Sequence, residues 1–580
     1  MNILMKARDM RNSHKLLFSV VLVTVLLALT WMMIPITFET SDDAFMMSCL
    51  SGGKTGEPHT DTIFSLFLWG KALSALYLVN AGIPWYTLIF LGLIAASLIT
   101  ICYCVLSFFP EWGGCLFCLL YFCMFLYYSA IVQFTMVSAY CGVAAVSLML
   151  MDRKEESRKY SIIKNIILFS FAFFAVNIRA KVGYLMLGNA AFAVFLEGIR
   201  YLIKAADMRK IKSMAVSLLL MCAAAGVSVG ANRIYESRDD WREFREFHAE
   251  RVNFTDYTKL DYEPNKDLFE QIGWSENFYE LVQNWFFMDE DVNAETLGQI
   301  NERNVHGSIR VGRSLLREWF PKIDLQVRVW VVMLVFLVLV TVKQRAGGYR
   351  RSIVSFAWLF IWFAETQYFG YTGRVMERAF EAWTLLAVVP SVLGMAGERQ
   401  KVEVKSGEEK KRIAENAIIS VLALAVCILC ARHPNGGYLR ARSFALSRSE
   451  AKITQANIED YAIEHPENIY ISGTSLPREG GPWRVYTEGR PYNLLFWGGS
   501  YYHSPLYYEQ LKRNGLEHIF MEDFFAENVY FIAREELDEC LCNVMEEKFS
   551  GCTYTVTEEG DGFVVYQFQA ENSSADDNAL

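Results

Sequence analysis

The chain alternates long apolar runs with short polar links, and the runs recur at lengths that match a bilayer. Residues 16–37 (LLFSVVLVTVLLALTWMMIPIT) are long enough to cross about 30 Å of hydrocarbon. Further apolar runs fall at 84–108, 115–131, 134–151, 162–178, 183–202, 213–232, 325–342, 352–369, 379–397 and 414–430. The stretch 115–151 divides in two, because a single helix would overrun the bilayer and Gln133 and Thr135 interrupt it. With the first run this predicts eleven membrane-spanning helices.

Charge sets the expected orientation. Lys6, Arg8, Arg11 and Lys15 precede the first run, which lacks the short apolar region and small-residue cleavage site of a signal peptide. The N-terminus is therefore expected in the cytoplasm. Counting eleven spans brings the basic links 153–159, 200–212, 343–351 and 399–412 to the same side. Residues 61–80 (DTIFSLFLWGKALSALYLVN) are apolar and helical in rhythm, yet Asp61 and Lys71 mark them, and a span here would reverse that agreement. They read instead as an amphipathic helix on the outer membrane surface.

This leaves three outer pieces: loops 38–83 and 233–324, and a tail, 431–580. The tail reads as a small extracytoplasmic α/β domain. It has a polar helix near 448–464 and strand-like NIYISG (468–473), NLLFW (493–497), VYFIA (529–533) and FVVYQF (563–568). The fold class is thus a polytopic α-helical membrane domain, 1–430, followed by that α/β domain.

Composition agrees: 53% hydrophobic residues, 14% aromatics and a mean hydropathy of +0.19 exceed what one soluble core needs. The net charge of -9 says little about partners in a chain where the distribution across two faces matters more, and no nucleic-acid footprint is present. Most of the 13 cysteines lie in apolar runs as small hydrophobes. The CLFC at 115–118 has a zinc-like spacing, but it lies in lipid and lacks a second pair. Cys540, Cys542 and Cys552 in the tail allow one disulfide if the tail is outside the cell.

Candidate chemistry gathers at the outer ends of the spans. Asp42 and Asp43 follow the first helix directly, with Glu57, His59 and Asp61 nearby in the same loop. A carboxylate at a partly dehydrated interface can serve as a base on a hydroxyl, or it can simply end a helix. Arg179 and Lys181 in "NIRAKVGY", and Arg374 and Arg378 in "GRVMERAF", stand at outer turns, against the usual positive-inside bias. Such cations either anchor helices at the headgroups or bind a phosphate there. Glu365, inside a span, is a site candidate or a buried partner of an Arg. The aromatic stretches 235–257 and 493–508 suit packing, and also the stacking of sugar rings.

The order of these features resembles the C superfamily of membrane glycosyltransferases, the GT-C fold, in its poorly characterised bacterial members. The resemblance rests on a first span followed by "SDDAFM" (41–46), "SGGKTGEPHTDTIFSLFLWGKALSALYLVNAGIPWYTL" (51–88), the "QFT" turn (133–135), "IRAKVGYLML" (178–187), "GRVMERAFEAW" (373–383) and an external C-terminal domain. It covers most of the chain in architecture, and its one sharp motif is the acidic pair. It implies transfer of a sugar from a polyprenyl-phosphate donor to a cell-surface glycan or other envelope acceptor, at the outer face of the cell membrane. By that resemblance Asp42 or Asp43 is the general base of an inverting displacement, and Arg179, Lys181, Arg374 and Arg378 hold the leaving phosphate. A divalent metal ion near the acids is compatible with this chemistry and not required by it. No WWD-type motif of the oligosaccharyltransferases is present.

Two other classes fit many spans with charged turns: a flippase or transporter of lipid-linked glycans, and a non-catalytic envelope assembly protein. Transporters tend to show repeat symmetry and helices broken at the midplane. Here the charges gather at one face and a sizeable domain is attached.

Overall fold

A computed structural model describes residues 2–109, 113–151, 158–202, 207–256, 260–303, 357–358, 360–368, 377–396, 421, 425, 428, 437–473 and 481–570. Six of its helices are long and apolar enough to cross a membrane. They are α1 (Asn2–Met33), α4 (Trp85–Phe108), α5 (Gly113–Ala130), α7 (Arg158–Ile178), α8 (Ala180–Leu202) and α9 (Met208–Tyr235). Between them lie α2 (Ser41–Ser51), α3 (Phe67–Val79) and α6 (Phe134–Leu150). Of the other expected spans, 379–397 is the helix α11 (Glu377–Ala396). Run 352–369 is described at 357–358 and 360–368, 325–342 lies outside the described residues, and 414–430 is described only at 421, 425 and 428.

The hub of the bundle is α6. It has 17 residues, every one of them buried, and α4, α7, α8 and α11 pack around it. Gln133 explains why the chain stops and restarts here: its side chain accepts the Met136 amide at 3.0 Å and so caps the start of α6. On the other side of the bundle α1 exposes Leu17, Phe18 and Val21, α7 exposes Ile162 and Ile166, and α9 exposes Leu219 and Val227. Apolar side chains turned outward on a helix bundle are what a lipid solvent asks for.

Below the mouth of α1, strand β1 (Thr37–Phe38) pairs in parallel with β2 (Ile131–Val132). The chain then turns into α2, which stops at Gly52, where φ is 89°. A Cβ at Gly52 would lie 2.7 Å from the Glu57 carbonyl carbon, so the tight turn needs glycine twice over. The expected surface helix is shorter than 61–80: it is α3, Phe67–Val79, with Trp69, Leu73 and Tyr77 buried and Lys71 exposed. The Leu66 amide donates to the Asn177 carbonyl at 2.8 Å and the Phe67 amide to Asn232 Oδ1 at 2.9 Å, which pins its start to the ends of α7 and α9.

Beyond α9, the helix α10 (Asp240–Asp256) buries Trp241, Phe244, Phe247 and Phe254. Its apolar stripe faces protein, with Phe247 against Tyr502 and His503 of the tail at 5.8 and 4.6 Å. The tail continues from α12 (Gly437–Ser447) and α13 (Ser449–Glu464) into a five-stranded sheet of order β4-β3-β5-β7-β6. Strands β3 (Ile469–Ser472), β4 (Leu494–Phe496) and β5 (Val529–Ala533) run parallel, whereas β7 (Phe563–Gln569) and β6 (Thr553–Gly560) are antiparallel to their neighbours. The four predicted strands are present, and β6 is an addition. Cys540, Cys542 and Cys552 are free thiols, so the disulfide that their location allowed is not formed.

One side chain ties the loop after α1 to the bundle. Asp43, in the first turn of α2, is fully buried, and its Oδ1 accepts from the Tyr86 hydroxyl at 2.8 Å and from the Phe134 amide at 3.0 Å. Thr40 Oγ1 donates to Oδ2 at 3.3 Å. A single carboxyl therefore joins α2 to the starts of α4 and α6. Burial pushes its pKa well above the usual carboxylate range, aided by the charges of Asp42 and Glu39 and opposed by the two hydrogen bonds to Oδ1.

Because the folded value is raised, the neutral carboxyl favours the folded chain. Its contribution is complete below the unfolded value of about 4 and is lost as pH rises through the folded one. Asparagine offers the same Oδ1 without ionising. We expect Asp43→Asn to fold well and to show a shallower fall in melting temperature from pH 4 upward than the native chain. Asp43→Ala should lose about 1–3 kcal/mol for each donor left unpaired. Thermal unfolding in detergent across pH, with parallel curves for native and Asn chains, would remove Asp43 from this role.

Candidate active site

A cavity of about 850 Å³ opens between that end of the helix bundle and the tail. Its bundle wall is made by residues between Glu39 and Ser48 other than Asp43 and Met46, with Lys54, Phe64 and Arg378. The opposite wall comes from α12 and α13 (Ser447, Arg448, Gln455, Glu459), from Tyr486, and from the loop after β4. Trp285 reaches in from the segment between α9 and α11. Among the described lining residues, Lys54, Arg378, Arg448 and Arg534 outnumber the acids Glu39, Asp42 and Glu459, a balance that favours an anionic occupant.

Local folding decides which acid faces this space. Adjacent residues on a helix point about 100° apart, so α2 cannot turn Asp42 and Asp43 the same way. Asp43 points into the bundle, and Asp42 is left half-exposed on the cavity wall with its Oδ2 3.8 Å from Arg378 Nη2. The pair joins the first turn of α2 to α11, so two segments more than 300 residues apart meet at one point of the wall. Glu39, one turn earlier, is held by the Tyr128 hydroxyl at 3.1 Å.

The other predicted residues are distributed unevenly. Arg179 is the one residue between α7 and α8, and its guanidinium lies 5.2 Å from the Phe134 ring and donates to the Phe64 carbonyl at 3.4 Å. It thus stands one layer behind the wall that Phe64 forms. Lys181 is exposed in the first turn of α8, away from the lining. Arg374 lies outside the described residues. Glu57, His59 and Asp61 form a separate group: Glu57 is exposed, and His59 Nδ1 is 3.6 Å from Asp61 Oδ2. Burial raises the pKa of Asp61, while His59, Tyr235 and Arg238 pull it down. Glu365 accepts from Asn189 Nδ2 at 2.9 Å within the bundle. Among the described residues no cluster of three or more His, Cys, Asp or Glu side chains is arranged to hold a metal ion.

Lys54 was not singled out from the sequence, and it stands at the centre of the wall. It is buried, its Nζ is 3.8 Å from the Phe496 ring centroid, and it donates to the Leu494 carbonyl at 3.5 Å. The signal was present as a lysine framed by Gly52, Gly53 and Gly56 in the acidic loop. The tail residues Arg448, Gln455, Glu459, Tyr486 and Arg534 gave no such signal, since only docking brings them to the cavity. Glu459 organises that wall, accepting from Gln455 at 3.1 Å, Tyr486 at 3.1 Å and Arg484 at 3.1 Å. The aromatic stretch 493–508 packs as expected, with Trp497, Tyr502 and Tyr507 in the core, and Phe496 and Tyr501 also line the cavity.

No family model matches the chain, and no curated protein matches it. Two solved structures do, both of ArnT from Cupriavidus metallidurans. The one bound to undecaprenyl phosphate has 9% identity and a TM-score of 0.37, with 96% of this chain and 98% of that chain covered. The apo form has 10% identity and a TM-score of 0.36 over the same shares.

Proposed function

We propose that the chain is a membrane glycosyltransferase that moves a sugar from a polyprenyl-phosphate donor to a cell-envelope acceptor, with Asp42 as the general base. The observation that carries this reading is the placing of Asp42 beside Arg378 on the wall of one cavity between the bundle and the tail. A base and a phosphate-binding cation must share a site for this reaction, because the proton and the developing negative charge appear at opposite ends of the same displacement.

In the proposed step the acceptor hydroxyl gives its proton to the Asp42 carboxylate as its oxygen attacks C1 of the sugar. The bond from C1 to the phosphate oxygen breaks, the phosphate leaves with the electron pair, and the configuration at C1 inverts. Arg378 and Lys54 hold the departing phosphate by charge-assisted hydrogen bonds. Arg179 supports Phe64 from behind, and Arg374 belongs to the same segment as Arg378. Asp43 is assigned to holding α2 in place, so the two acids of the motif have separate tasks. The reaction is placed at the outer face, with the tail extracytoplasmic and the N-terminus inside.

Transfer of labelled sugar from a polyprenyl-phosphate donor to the envelope glycan should fall by about a hundredfold or more in Asp42→Asn, the scale for loss of a general base, with Asp43→Asn near native. Near-full transfer by Asp42→Asn would remove it as the base. Arg378→Gln should weaken binding of the polyprenyl phosphate with melting temperature nearly unchanged, because a half-exposed ion pair contributes about 1 kcal/mol or less to folding. Equal losses of binding and stability would assign Arg378 to structure alone. For the orientation, a tag after residue 580 should be labelled in intact spheroplasts and one in the link 398–412 should not; the reverse pattern would overturn the span count.

A further inference from the structure

The tail reaches back to the bundle at a second place, beside the cavity, and there it presents a large aromatic side chain to the outside. Thr87, in the first turn of α4, donates its hydroxyl to the carbonyl of Pro482. A side chain at Gly82 would touch Thr487, 3.6 Å away, so the whole segment 482–487 lies across the loop that leads into α4. Pro482 and Tyr486 are buried, while Trp483 between them remains 49% exposed.

The depth of Trp483 follows from α4. That helix spans Trp85–Phe108 with a mean hydropathy that qualifies it to cross a membrane, so Thr87 belongs to its terminal turn and sits at the boundary of the hydrocarbon. A residue next to Pro482 stands at the same level. The ends of the two helices leading to this contact are apolar and uncovered: Leu78 and Val79 at the end of α3 are 70% and 82% exposed, and Leu88, next to Thr87, is exposed as well. Indole is the side chain best suited to this zone, with an apolar body for the acyl boundary and an N–H for the headgroups.

We propose that Trp483 is a membrane anchor of the tail, inserted at the headgroup level of the bilayer beside α3 and α4. The partner is a lipid surface, continuous with the lipid-facing side of the bundle. The anchor is joined to the cavity wall by the next residues in the chain. Arg484 holds Glu459 and Asp460, and Tyr486 donates to Glu459, whose own ligands include Gln455 of the wall. Lipid contact at Trp483 therefore fixes the tail side of the cavity relative to the membrane. The proposal concerns where the tail meets lipid and does not depend on which reaction the cavity performs.

Fluorine NMR of the full chain labelled with fluorotryptophan, in phospholipid nanodiscs, tests it. The chain has 14 tryptophans, and the Trp483 resonance is the one that disappears in Trp483→Phe, or in Trp483→Tyr if the first variant fails to fold. We expect a lipid carrying a nitroxide close to its headgroup to broaden this resonance strongly, and a water-soluble gadolinium chelate to affect it less than the resonance of a tryptophan in water. A resonance untouched by the lipid nitroxide overturns the proposal. In that outcome broadening by gadolinium places the ring in water, and protection from both reagents places it against protein, as in contact with a second copy of the chain.

Discussion

The architecture hangs on one buried carboxyl. Asp43 accepts hydrogen bonds from the first turn of α4 and from the first amide of α6 at a single oxygen, and α6 is the helix around which α4, α7, α8 and α11 are packed. A polar group in such a place costs free energy unless its partners are supplied, and here the partners are the very groups that need an acceptor. The result is a fixed direction for α2. Once Asp43 points inward, helical geometry sends Asp42 the other way, into the space under the tail.

The cavity belongs to neither part of the chain alone. Its bundle wall brings Asp42, Lys54 and Arg378 from three segments, and its tail wall brings Arg448 and a polar array centred on Glu459. The two walls are clamped where the tail meets the opening loop: Phe45 lies 5.1 Å from Tyr501, Arg490 donates to the Ser51 carbonyl, and Lys54 sits over Phe496. Such a site keeps charged groups partly enclosed by protein, where electrostatic interactions are stronger than in bulk water.

Periodicity made the bundle legible. Apolar runs gave the apolar part of α1 and all of α4, α5, α7, α8 and α9 within about five residues at either end, and Gln133 marked the break before α6 by its capping chemistry. Alternation gave β3, β4, β5 and β7. β6, Thr553–Gly560, is an addition: Tyr554 and Val556 alternate with threonines, but all eight residues are exposed, so the strand buries no apolar face. At the candidate site, the motif "SDDAFM" lies in the loop that lines the cavity, but one-dimensional adjacency could not tell a buried acid from its half-exposed neighbour. Nor could it show that Arg378 would meet Asp42, or that Arg179 would stack behind Phe64. Those facts belong to tertiary packing, and the tail residues of the cavity are the extreme case, since they become neighbours of Asp42 only when two units dock.

A density map of the full chain in nanodiscs with a polyprenyl phosphate bound tests the central claim most directly. The account predicts the phosphate within hydrogen-bond distance of Arg378 and Lys54, in the cavity that the Asp42 carboxylate lines, with the prenyl chain running along the lipid-facing side of the bundle. A phosphate held at Lys181 or elsewhere outside the cavity, with Asp42 facing empty space, would contradict it.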